Sequence, residues 1–318
     1  MSNPLSKLVA PGFPKAAVGI EGASASVVSL ERRGQIFSIK RAATMALPLG
    51  LIRPSFDEQN ISDLSGAADA LTQMATSAGL LRQRKWSAVL PEAVTRTVIL
   101  TIEGTPASRA ESEEILRWKI ERAFGASLEE LRVGREQLPP DAEGRARYLT
   151  TAVREIVLAE YETVFGALGW QTGLILPRHM GEERWLLQNG FEGDSLLVSS
   201  YAEGFTAVLT RARKPIIVRS IICDPEDRED ELYRLLLFYR DRIIGGEEEA
   251  LSEGSTLERL LVVGEEFSKE RVSEIVNETL GGNLRSLGAQ EVGLVLPSNE
   301  FSFDTLAAPA GLATLAWG

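Results

Sequence analysis

Cysteine and histidine are almost missing from this 318-residue chain, which has one of each, Cys223 and His179. A lone thiol cannot close an internal disulfide, and a single imidazole excludes a multi-histidine metal site. Positive charge is also scarce: 34 Lys and Arg stand against 45 Asp and Glu, a formal net charge of −11. That sign argues against a general nucleic-acid binder, whose affinity rests on neutralising phosphates. Long apolar runs are lacking too. A membrane helix needs about 20 predominantly apolar residues, and the longest candidates, 257–264 and 306–317, are broken or too short. Residues 1–15 carry Pro4, Pro11 and Pro14 without a continuous apolar stretch, so no secretory leader is expected. What remains is the composition of a folded protein, 44% hydrophobic and 25% charged, long enough for about two domains.

The order of local patterns is the most informative feature. After the proline-punctuated tail, residues 16–20 form an apolar strand, and 26–31 with 35–41 flank a turn at 32–34 in hairpin fashion. A Pro-rich loop (48–60) leads to a helix whose Leu64, Ala67, Ala68, Leu71 and Ala78 share a face, stopped by Gly79; 86–90 is a further strand. The helix 152–168 and strand 172–176 complete the first half. The same grammar returns later: a strand at 195–200, a hairpin from 205–210 and 215–221, a helix 227–244 with Ile243 on its apolar stripe, a strand 257–263, a helix 268–280 and a strand 292–296. Each half reads β-β-β-α-β-α-β, a long-range duplication. Between Pro91 and Tyr148 lies an insertion with a strand (95–102) and an amphipathic helix opened by Ser108 and Glu111 in capping-box spacing, burying Leu116, Ile120 and Phe124.

This duplicated α/β plan is similar to the actin-like (ribonuclease H-like) two-lobe fold, with a small α+β subdomain inserted in the first half. The segments Val18-Gly-Ile-Glu-Gly-Ala-Ser-Ala-Ser-Val27, Ala88-Val-Leu-Pro-Glu-Ala-Val-Thr-Arg-Thr-Val98, Glu113-Glu-Ile-Leu-Arg-Trp-Lys-Ile-Glu121 and Leu306-Ala-Ala-Pro-Ala-Gly-Leu-Ala313 resemble, in that order, the PilM-type proteins of type IV pilus assembly. The resemblance covers nearly the whole chain. It implies an N-terminal tail at 1–15, a first lobe at 16–90 and 148–185, an inserted subdomain at 91–147 and a second lobe at 186–318. It also implies a cytoplasmic scaffold peripheral to the inner membrane, in a type IV pilus or type II-like secretion machine. Such a scaffold captures the cytoplasmic tail of a PilN-like partner, contacts the assembly motor ATPase and reaches the membrane only through partners; homo-oligomers belong to the same picture. For the tail, the sequence offers Val94, Val98, Ile115 and Trp118 beside the insertion.

The family usually binds ATP with Mg in the cleft between the lobes, and here its motifs depart from pattern. In the first hairpin the acid is Glu21, the glycine position is Ala23 with Gly22 beside it, Ser24 follows, and the lysine position is Val28. An L-residue forced to positive φ costs roughly 1–2 kcal/mol, and a lost charged hydrogen bond about 1.5–3 kcal/mol. In the second hairpin, Ser199, Tyr201 and Phe205 replace an acid, a glycine and a threonine. The third motif, normally Gly-Gly, is Gly264-Glu265 followed by Glu266. Glu21, Gly22, Ser24 and Gly264 are therefore read as remnants of a nucleotide site, in a pseudo-ATPase without catalytic residues, metal or resident cofactor. The alternatives are an active ATP-binding pilus protein and a small-molecule kinase of the same fold; the latter needs a catalytic acid where Ser199 stands.

Other residues read more plainly. Trp118 is expected to pack on the subdomain sheet in preference to facing solvent. Arg211, Arg213 and Lys214 form a hairpin tip, Glu247–Glu249 a polar loop, Gly245-Gly246 and Gly281-Gly282 helix ends. Cys223 reads as a buried small hydrophobe and His179 as non-catalytic.

Overall fold

The computed structural model describes residues 12–104, 106–241 and 257–317. β1 (Ala16–Ile20) is small and apolar throughout and wholly buried, which suits an internal strand covered on both faces. It pairs antiparallel with β2 (Ser24–Arg33), which pairs with β3 (Ile36–Ala46), and parallel with β4 (Lys85–Leu90). β8 (Gln171–Pro177) extends the parallel side. Two helices cover one face. α1 (Leu64–Ser77) is capped by Asp63, whose side chain accepts from Gly66 N at 3.0 Å; α3 (Glu155–Ala167) packs Val157, Tyr161, Val164 and Phe165 into the same core.

The insertion is a three-stranded sheet ordered β5-β7-β6, from β5 (Arg96–Thr101), β6 (Leu131–Leu138) and β7 (Arg147–Arg154). α2 (Arg109–Phe124) lies across it, and Leu116, Ile120 and Phe124 form the buried seam. Glu111 N donates to Ser108 Oγ at 3.1 Å, the expected cap. The helix expected from residue 152 begins at Glu155, because Ala152–Arg154 are still paired with β6 along β7.

In the second lobe, β9 (Ser195–Tyr201), β10 (Gly204–Arg211), β11 (Lys214–Ile222) and β12 (Arg259–Val263) form a sheet ordered β11-β10-β9-β12. α5 (Arg228–Tyr239) and α6 (Lys269–Leu280) cover it. The duplication is thus real but incomplete. The last strand, β13 (Leu294–Val295), does not close the second sheet: it pairs parallel with β3 and makes the first sheet six-stranded. The predicted end of the helix over 227–244, including Ile243, lies outside the described residues, as do Gly245-Gly246 and Glu247–Glu249.

Two helices not expected from periodicity sit between the lobes. α4 (Arg178–Glu183) and α7 (Phe303–Ala313) cross each other, and α7 packs on β1, β2 and β4. Around α7 the apolar faces of both sheets meet in one core, with Val28 and Phe37 from the first and Leu197, Val208 and Leu261 from the second. Pro309 lies inside α7. Its missing N–H leaves the Thr305 carbonyl without its helical donor, and Ser26 Oγ donates to that carbonyl at 3.3 Å.

Candidate functional site

Three backbone corners meet at the carboxyl ends of β1, β9 and β12. Glu21 N donates to Ser24 O at 2.8 Å and closes the first hairpin corner, with Gly22 held against Pro54. Tyr201 and Gly204 face each other across the second, tight turn. Gly264 follows β12 with φ 105° and lies so close to Ser200 that a Cβ would stand 2.3 Å from its carbonyl oxygen, so only glycine fits. Together they surround a cavity of about 300 Å³, and Glu21, Gly22, Ser24 and Gly264 all line it.

The electrostatics of this cavity come from α4. Arg178 is buried, its Nε donates to Glu182 Oε1 at 2.6 Å, and Nη1 stands 3.4 Å from Glu21 Oε1. Burial pushes the Glu21 carboxyl up to about 7, with Arg178 pulling the other way. Since 32% of its side chain still faces the cavity, water there tempers the shift. Burial also raises Glu182 against the same arginine. The guanidinium is therefore held between two of the protein's own carboxyl groups.

A second pair lies beneath. Glu92, just after β4, accepts from His179 Nδ1 at 2.6 Å and from Thr206 Oγ1 at 2.9 Å, while the His179 backbone N–H donates to the other oxygen at 3.2 Å. Burial alone would raise Glu92, but the neighbouring imidazolium overrides it and holds the carboxyl below its ordinary value. Burial likewise opposes charge on His179, and Glu92 overrides it, so the imidazole pKa is raised. Thr206 belongs to β10, so this bond joins the two lobes.

The remaining corners are held internally. Gly264 N donates to Asp304 Oδ1 at 3.1 Å, and Lys269 Nζ sits 2.7 Å from Asp304 Oδ2. Buried Arg228 donates to the carbonyls of Tyr201 (3.2 Å) and Ala202 (2.7 Å), locking the second turn. Tyr201 is buried beside the cavity, Phe205 belongs to the second-lobe core and Ser199 lies beside Glu182. Glu203, Glu265 and Glu266 add carboxylates around the rim. Among the described lining residues the Gly264 amide is taken by Asp304, buried Arg178 is paired with Glu21 and Glu182, and the other charged groups are acidic. Among the described residues no group of three or more His, Cys, Asp or Glu is arranged to hold a metal.

The four residues offered for a partner tail do not form one surface. Val94 is fully buried in the first-lobe core and presents nothing to a ligand. Val98 and Ile115 sit half-buried at the seam between α2 and its sheet. Trp118, expected to pack inward, is 54% exposed with the Arg122 guanidinium 5.2 Å from its ring. Of the hairpin-tip cations, Arg211 is bound to Asp194 and Lys214 to Glu136. Cys223 is only half-buried, and burial raises its thiol.

Sequence reasoning missed Glu92, Arg178, Glu182 and Asp304, and set His179 aside. The one available signal was Arg178 and Glu182 at four-residue spacing directly after a strand-ending proline.

No protein-family model matches the chain, and no curated protein matches it. Among solved structures it is similar to a PilM–PilN type IV pilus biogenesis complex, with 18% identity over 96% of this chain and 98% of that one and a TM-score of 0.68. Weaker likenesses, both with a TM-score of 0.46, are to the cytoplasmic domain of EpsL, an inner-membrane component of the Vibrio cholerae type II secretion system (10% identity, 95% and 93% covered), and to an actin-like ATPase-fold protein of Bacteroides thetaiotaomicron (9% identity, 99% of each). The architecture is the two-lobe actin-like ATPase fold in its PilM-like form. No helix among the described residues is long and apolar enough to cross a membrane.

Proposed function

We propose that this protein is a cytoplasmic scaffold of a type IV pilus or related secretion machine, peripheral to the inner membrane through a PilN-like partner, with a nucleotide cleft that no longer works. The observation that carries the last part is the internal satisfaction of the cleft: Asp304 on the Gly264 amide, Arg178 between Glu21 and Glu182. The likeness to the PilM–PilN structure along the full chain supports the scaffold reading. Calorimetric titration with Mg·ATP is expected to show no binding in the micromolar range, the apo-like heat persisting to millimolar nucleotide. Micromolar affinity would favour instead an ATP-driven member of the same fold.

For the partner tail, Trp118 is the strongest contact on the insertion. An exposed tryptophan backed by an arginine has the chemistry of an interface anchor, and its removal disturbs no core. Trp118→Ala is expected to weaken capture of a PilN-like cytoplasmic peptide at least ~10-fold, equivalent to about 1.4 kcal/mol, with an unchanged melting temperature. Fluorescence anisotropy of the labelled peptide measures this, and equal affinities for the two proteins would place the tail elsewhere.

A further inference from the structure

Bound nucleotide is one means by which the lobes of a cleft can be drawn together, and here a side chain bridges the two sides of the cleft. Asp304 is on the first turn of α7, the helix seated on the first-lobe sheet. Its carboxylate reaches across to the second lobe, where Oδ1 takes the Gly264 N–H at the end of β12 and Oδ2 takes the Lys269 ammonium at the start of α6. An amide and an ammonium that converge on one point make an anion-binding corner. The anion in it is covalently part of the chain.

Three features keep the carboxylate in place. Asp304 N donates to Ser302 Oγ, the cap of α7, at 3.1 Å, fixing the backbone from which it projects. The carboxylate is largely shielded, with 14% of its side chain exposed, so its two partners act at reduced dielectric. Gly264 directly follows β12, and its backbone lies close against Ser200 of β9, with no room for a side chain between them. Behind the cleft the lobes share an apolar core, which leaves the cleft side as the end that can open.

We infer that Asp304 is a tethered ligand, an internal carboxylate that latches the cleft side of the two lobes closed, so that the chain sets its own conformation without a nucleotide. The inference rests on the proposed loss of nucleotide binding, and a test can separate the two. Leu49, fully exposed on the loop after the first hairpin, and Glu278, exposed on α6, are suitable label sites. In a Cys223→Ser background, Leu49→Cys and Glu278→Cys carry spin labels, and pulsed electron–electron resonance reads the distance across the cleft.

The unaltered latch is expected to give one short distance, the same with and without Mg·ATP. Asp304→Ala is expected to shift the distribution to longer distances, and added acetate, which supplies the missing carboxylate, to shift it back. Lys269→Met, at a half-exposed position that disturbs no core, keeps the Gly264 bond and is expected to give an intermediate shift; it serves as the test should Asp304→Ala fail to fold. Distributions in folded Asp304→Ala or Lys269→Met that superimpose on the parent overturn the latch, as does a lengthened Asp304→Ala distribution that acetate leaves untouched. A change in the parent on adding Mg·ATP overturns the nucleotide-free reading instead, whatever the Asp304 variants do.

Discussion

Glu92→Gln is expected to destabilise the protein by about 3–5 kcal/mol, the usual consequence of breaking a buried ion pair from one side. For a chain of this length that lowers the melting temperature on the order of 10 °C. Glu92 and His179 are almost completely buried, and His179 Nε2 already has no hydrogen-bond partner among the described residues. The amide would leave an imidazolium without a counter-charge on either nitrogen. The pH dependence has a definite sign. His179 is raised from 6.5, so its contribution is complete below that value and is lost as pH climbs through the raised one. Glu92 is lowered from 4.5, so its contribution is complete above that value and is lost as pH falls through the lowered one. The deficit of Glu92→Gln is therefore largest between 4.5 and 6.5 and narrows as pH climbs through the raised His179 value, where a neutral imidazole no longer needs the carboxylate. Replacing both, Glu92→Met with His179→Leu, is expected to recover most of the loss. Urea titrations of the single and double variants across that range check the cycle, and a small, pH-independent deficit would mean that the pair is not ionised.

Local grammar made the two lobes readable, and long-range pairing hid the chemistry of the cleft. The hairpins, α1, α2 and α6 each have a solvent face and a core face, and that asymmetry is what periodicity detects. α4 and α7 have no such face. α7 is buried from Leu306 to Ala313, so its run of Leu, Ala, Pro and Gly carries no amphipathic signal, and Pro309 reads as a breaker until Ser26 is found beneath it. α4 has six residues, too few to show a period. β13 switches lobes because its partner is chosen by an open edge on β3, information that its two residues do not contain. At the cleft, Glu21, Gly22, Ser24 and Gly264 were legible because hairpin and strand ends announce themselves locally. Glu92 meets His179 across 87 positions and Thr206 across 114, and Asp304 meets Gly264 across 40. Nothing in a single sequence ties such positions together. Trp118 was misplaced for the opposite reason: a tryptophan on a short amphipathic helix is ordinarily counted toward the buried seam, and here Leu116, Ile120 and Phe124 already fill it.

Gly311→Ala is expected to lower stability by about 3 kcal/mol or more, at the upper end of the range for overpacking. α4 and α7 cross with their backbones in contact. A Cβ on Gly311 would stand 1.9 Å from Gly181 O and 3.0 Å from Trp185 Nε1, and one on Gly181 would stand 2.3 Å from Ala308 O. Neither helix can retreat, because Trp185 Nε1 donates to Ala307 O at 2.8 Å across the same crossing and α7 is held between the two lobes' apolar faces. The added methyl must therefore separate the helices and, with them, the lobes. Gly166→Ala makes the matched control, since that glycine is exposed near the end of α3 with nothing within 4 Å of a built Cβ. There the same methyl is expected to stabilise by up to ~1 kcal/mol through helix propensity. Opposite signs in thermal melts of the two variants would locate the demand for glycine in the crossing and not in backbone freedom; similar small effects would mean that the helices part easily, and that the inter-lobe core is softer than its packing implies.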